Sequence, residues 1–95
     1  MTEKDSPNDQ ISVSFPEESK GGNYANNMIV QHTQEEFILD FLMIAHPAGK
    51  VVSRIILSPG HIKRVVEALR INIEKYESKF GAIKAAEEPT GNYQM

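Results

Sequence analysis

The stretch that decides the fold is LSPGHIKRVVEALRINIEKYESKFG, residues 57–81. Ser58 is a good N-cap, and Pro59 falls at the first helical position, where a missing N–H costs nothing. Leu57 and Ile62 take the two positions of a hydrophobic staple across that cap. Ile62, Val66, Leu69, Ile73, Tyr76 and Phe80 then recur at alternating spacings of four and three, and Val65 widens the stripe. Gly81 offers a left-handed stop, and Lys79 lies in the last turn, where the helix dipole favours a cation. One long amphipathic helix is expected. Burying its six large stripe residues is worth about 10 kcal/mol of gross transfer energy before ordering entropy is counted.

Upstream the period changes from 3.6 to 2. ISVSF (11–15) alternates Ile11, Val13 and Phe15 with serines, and Pro16 ends the run. YANNMIVQH (24–32), EFILDFLMI (36–44) and KVVSRIIL (50–57) are further strand-like runs, joined by the short connections TQE (33–35) and AHPAG (45–49). Consecutive strands with short loops imply an antiparallel meander. With the second hairpin pivoting on Pro47, Asp40 faces Arg54, Leu42 faces Val52, and Ile38 faces Ile56. Phe37, Leu39, Phe41 and Met43 fall on the other face with Val51, Ser53, Ile55 and Leu57. That second face is almost wholly apolar and should take the helix. The expected fold is α+β: a three- to four-stranded antiparallel β-meander with one long C-terminal helix packed on one face, and dimeric, because the remaining apolar face wants a partner.

The chain has 95 residues and a formal net charge of −3. Polar, acidic ends are expected as flexible tails at 1–10 and 84–95, around one domain spanning 11–83. A core of roughly sixty residues is marginal alone and often relies on a staple, a metal or a second chain. Cysteine is absent, which removes disulfides, thiol nucleophiles and cysteine-based zinc sites. No secretory signal pattern and no apolar run of membrane-spanning length is present, so a cytoplasmic protein without membrane association is expected. Residues 22–83 carry seven Lys and Arg against six Asp and Glu, a poor electrostatic basis for nucleic-acid binding.

Candidate chemistry is sparse. The first helical turn has dipole and cations for an anion, through His61, Lys63 and Arg64. Against that, Pro59 removes one donor, no glycine-rich phosphate loop precedes it, and Glu67, Glu74 and Glu77 interleave with the basic residues. The bland reading, a solvated face, outweighs the anion site about three to one. His32, His46 and His61 lie fourteen and fifteen residues apart without ligand spacing, so no metal and no cofactor is expected. The serines at 53, 58 and 78 form no elbow or triad signature, and Asp40 has Arg54 for an ion pair, so no catalytic residue is assigned.

Gly-x-Tyr-Ala-Asn at 22–26, Glu-Phe-x-Leu-Asp-Phe at 36–41, Ser-Arg-Ile-x-x-Ser-Pro-x-His-x-Lys at 53–63 and Asn-Ile-x-Lys-Tyr-Glu-x-x-Phe-Gly at 72–81 resemble the small prokaryotic family catalogued as domain of unknown function 3467. The four motifs stand in order and cover about Ile11 to Ile83, with Gly60 where the family pattern has an acidic residue. The resemblance implies a short cytoplasmic protein of bacteria or archaea without an established activity, and draws attention to Asn26, Asp40, Arg54, His61, Lys63, Asn72, Tyr76 and Glu77. The structural and interface candidates are therefore Asn26, Ile38, Asp40, Leu42, Val52, Arg54, Ile56, Asn72 and Tyr76. The expected function is a non-enzymatic homo-oligomer, dimer or higher, serving as an interaction or adaptor protein. The alternative is a nucleic-acid-binding or transcription-linked regulator that presents Lys63, Arg64 and Arg70 along one helix edge.

Overall fold

The structure, a computed structural model, describes residues 10–87. Three strands, β1 (Asn27–His32), β2 (Phe37–Ala45) and β3 (Ala48–Leu57), form an antiparallel sheet in the order β1-β2-β3, and one helix, α1 (Pro59–Phe80), follows. The α+β meander expected from the sequence is present with three strands. ISVSF (11–15) is not a fourth: it makes no strand pairing, and Ile11, Val13 and Phe15 are exposed. Alternation made it look like a strand, but alternation alone supplies no neighbour. A single 3-10 turn at Glu17–Ser19 follows it. The expected tails at 1–10 and 84–95 lie outside the described residues except for Gln10 and residues 84–87, which are exposed and without regular structure.

The β1–β2 connection is closed by the Thr33 N–H donating to the Glu36 carbonyl at 2.9 Å. Thr33 Oγ1 also accepts from the N–H groups of Glu35 and Glu36. Between β2 and β3 the loop is only His46–Pro47, with a cis peptide bond, and Ala45 pairs with Ala48. The pivot therefore lies between His46 and Pro47 rather than on Pro47. Pairs from Phe37↔Leu57 to Phe41↔Ser53, including Ile38↔Ile56 and Asp40↔Arg54, stand as the symmetry argument places them. Beyond Phe41 the register shifts: Leu42 pairs with Val51, and Val52 is the extra residue of a bulge. The expected Leu42–Val52 pair is thus replaced, and Val51 moves to the face of Asp40. The bulge absorbs the residue by which the shorter turn differs from the symmetric one.

Both sheet faces are apolar near the middle. One carries Met28, Val30, Phe37, Leu39, Phe41, Ile55 and Leu57; the other carries Ile29, Ile38, Asp40, Leu42, Val51, Arg54 and Ile56. Among the described residues Leu39 and Leu42, one on each face of the central strand, are the buried hydrophobic ones.

Helix α1 begins and ends where its sequence signals lie. Ser58 Oγ accepts from the His61 N–H at 3.3 Å, and the Ile62 N–H donates to the Ser58 carbonyl. At the other end the Gly81 N–H closes the last turn on the Glu77 carbonyl. Gly81 has φ 97° and ψ 173°, an extended positive-φ conformation rather than the left-handed helical one expected, and one open in practice only to glycine. Beyond it the Glu77 carboxylate accepts from the Ile83 N–H at 2.9 Å.

The expected packing of α1 on its own sheet is not realised. No helix residue is buried; only Ile62, Val65 and Glu77 are even half-buried. The cause is the connection: Leu57 ends β3 and Pro59 starts α1, so one residue links them, whereas strand-to-helix turns that fold a helix back over a sheet use two to six.

The glycines make opposite predictions for stability at fixed protein concentration. Gly81→Ala should cost about 1–3 kcal/mol in urea unfolding, since alanine strains at that φ and ψ. Gly60→Ala, whose added Cβ meets nothing within 4 Å, should gain up to about 1 kcal/mol through helix propensity.

Candidate interaction surface

Asp40 is at the centre of β2, with Ile29 and Arg54 across from it on the neighbouring strands and Ile38 and Leu42 on the same face along its own. It is fully buried, and Arg54 grips it by two parallel bonds, Nε to Oδ1 at 2.6 Å and Nη2 to Oδ2 at 2.8 Å. A fork of this kind satisfies both carboxylate oxygens with one rigid donor group. Among the described residues no buried side-chain nitrogen or oxygen lacks a hydrogen bond. The Arg54 hydrogen bonds hold the Asp40 carboxyl below the ordinary carboxylate value, against the opposing effect of desolvation. The same bonds raise the Arg54 guanidinium. Arg54 itself stays half in water, with 55% of its side chain exposed.

Asn26 precedes β1 and completes its corner. Its backbone N–H donates to the Leu42 carbonyl at 2.9 Å. Its side-chain amide donates to the Ile44 carbonyl and accepts from the Ile44 N–H, both at 2.9 Å. The amide thereby mimics a peptide group and extends the ladder beyond the pairing of its own backbone.

Of the other structural candidates, Ile38 and Val52 are half-buried, Leu42 is buried, and Ile56 is exposed on the Arg54 side. Asn72 is on the helix surface and donates to the Ala68 carbonyl one turn back, so it serves its own helix. Tyr76 leans on Phe80 with ring centroids 4.9 Å apart, and the Lys79 ammonium lies 5.4 Å from the Phe80 ring centre.

His61, Lys63 and Arg64 are exposed in the first turns of α1. His61 and Arg64 flank a shallow open groove of about 290 Å³ with Val65 and Ala68. The N–H of His61 is engaged by Ser58 Oγ and that of Ile62 by the Ser58 carbonyl, while Pro59 has none, so the helix start offers an anion little beyond Gly60. Arg70 is held by Glu67 through two bonds and by Glu74 through one. The basic edge is thereby partly neutralised within the helix. Among the described residues no three His, Asp or Glu side chains gather as metal ligands would, and no helix is long and apolar enough to cross a membrane.

The feature that sequence reasoning assigned to the chain's own core is the helix stripe. Val66 is 60% exposed, Leu69 59% and Phe80 66%, with Ile73 and Tyr76 about half exposed between them. On a helical wheel these positions, with Ile62, span about 80°, a compact apolar face of the kind that packs on another surface. The signal for its exposure was the direct passage from β-branched strand to Ser-Pro, which leaves no room for a reversal.

The same motifs that frame Asn26, the Asp40–Arg54 pair and the helix cap fall inside residues 1–85, the span matched by a family model. The chain belongs to the family described as Protein of unknown function (DUF3467). No curated protein and no solved structure matches it. In this DUF3467 chain the site is thus defined by its own geometry: a locked ion pair on one sheet face, Met28, Val30 and Ile55 exposed on the opposite one, and an open helix stripe.

Two predictions concern the polar contacts. Because the folded Asp40 value is depressed, its contribution is complete above the ordinary value of 3.8 and is lost as pH falls through the lower folded value. The urea midpoint of the native chain should therefore drop below about pH 4 more steeply than that of Asp40→Asn, which has no carboxyl to protonate there. Asn26→Ala should cost about 1–2 kcal/mol by losing two bonds to Ile44. Asn26→Asp should not restore it, since a carboxylate cannot donate to the Ile44 carbonyl.

Proposed function

We propose that this chain works as a non-enzymatic, homodimeric interaction module. The observation that carries the reading is the stripe Val66, Leu69, Ile73, Tyr76 and Phe80, five successive apolar positions on one face of α1 and each about half exposed or more. Contiguous apolar surface of several hundred Å² on a soluble chain marks an association site. Met28, Val30 and Ile55 add exposed apolar area on one sheet face. A single small sheet with Leu39 and Leu42 as its buried hydrophobic residues is too little core to stand alone, and pairing of two chains supplies the missing burial.

The non-catalytic part of the reading rests on Asp40. Among the described residues it is the buried ionisable one, its charge is matched, both oxygens are engaged, and its depressed proton affinity makes it a poor general base.

Sedimentation equilibrium at micromolar concentration tests the proposal: twice the chain mass is expected, and a stable monomer overturns it. Leu69→Glu sharpens the result. On a monomer surface such a change is within about 0.5 kcal/mol of neutral. At the centre of an interface it should weaken association by about a hundredfold or more.

A further inference from the structure

We infer that the helix of each chain lies across the sheet of a second copy, on the face carrying Met28, Val30, Leu39, Phe41 and Ile55, so that two copies exchange helices reciprocally. The inference rests on the dimer reading above and adds which surfaces meet.

Three constraints select this arrangement. The first is the link. With only Ser58 between β3 and α1, the helix does not pack on the sheet it grows from, yet the stripe and, on the sheet, Met28, Val30 and Ile55 remain exposed. A cover must therefore come from another chain, and a second copy carries the complementary element for each. A two-fold axis then covers both faces and both stripes at once.

The second is water. Arg54 has five N–H donors and gives two to Asp40, leaving three that need solvent on an exposed side chain. An apolar helix laid over that face would strip those donors of water without replacing it. The opposite face holds no charged side chain from Phe37 to Phe41 or from Ser53 to Leu57; Lys50, opposite Met43, lies out at the hairpin end. The stripe goes to the face that loses nothing by drying.

The third is size. A helix of 22 residues is about 33 Å long. Strands of nine and ten residues run about 30–33 Å. The exposed parts of the five stripe residues and of Met28, Val30 and Ile55 amount to roughly 750 Å² per chain, close to the per-partner area of a standard interface.

The chain has no cysteine, so introduced thiols report without background. Leu69→Cys marks the stripe, Ile55→Cys the dry face and Ile56→Cys the Arg54 face; all three positions are exposed, and each variant is first required to sediment as the native chain does. The double variant Leu69→Cys with Ile55→Cys, treated with a short bismaleimide and run under denaturing conditions, should become mainly a covalent dimer. Mixed with Leu69→Cys, Ile55→Cys should form the same heterodimer, and Ile56→Cys should not. Linkage within one chain, linkage of Leu69→Cys to itself alone, linkage to the Ile56 position, or no helix-to-sheet product overturns the inference. If sedimentation still gives a dimer in any of those cases, the module reading survives its loss; a monomer removes both.

Discussion

The single residue between β3 and α1 governs most of what is unusual in this chain. The strand ends at Leu57 and the helix starts at Pro59, and no residue of the helix is buried against the sheet. Left outside are the stripe from Val66 to Phe80 and, on one sheet face, Met28, Val30 and Ile55. Local capping makes the junction firm. Ser58 secures the first turn, and Leu57 and Ile62 flank it at staple positions, so the junction is specified twice over by residues within six positions of each other.

The sheet meets a different requirement, that of a fixed register. A three-stranded sheet with apolar residues on both faces has weak preferences between pairings, because a one-residue slip exchanges one greasy face for the other. The Asp40–Arg54 fork removes that ambiguity. Any slip leaves a buried carboxylate opposite Ser53 or Ile55 with no guanidinium to meet it, and an unpaired buried charge is among the most costly errors a fold can contain. Beyond Phe41 the fork no longer controls the pairing, and it is there that the bulge at Val52 occurs.

Much of this was legible in the chain itself. The bounds of α1, its caps and the pairing from Phe37↔Leu57 to Phe41↔Ser53 follow from signals that act over a few residues. The bulge was not legible, since the choice between pivoting on Pro47 and pivoting beside it depends on turn geometry rather than on side-chain pattern. ISVSF shows the limit of periodicity: Ile11, Val13 and Phe15 have the alternation of a strand, but pairing is a property of two segments. The stripe was recognised as a packing surface and assigned to the chain's own sheet, where it is not buried, because apolar spacing marks a face fit for burial and says nothing about whose surface buries it. Asn26, Asp40 and Arg54 stood out through the motifs they belong to, while the peptide-like role of the Asn26 amide needed coordinates.

That amide has a consequence for how the sheet can change. Backbone hydrogen bonds are indifferent to the side chains that hang from them, so a β-ladder is largely invisible to mutation. At the corner where Asn26 grips Ile44, two rungs are instead written in a side chain and therefore in a codon. One nucleotide change can open or close that corner without touching the rest of the ladder, and the length of this sheet is to that extent an inheritable quantity.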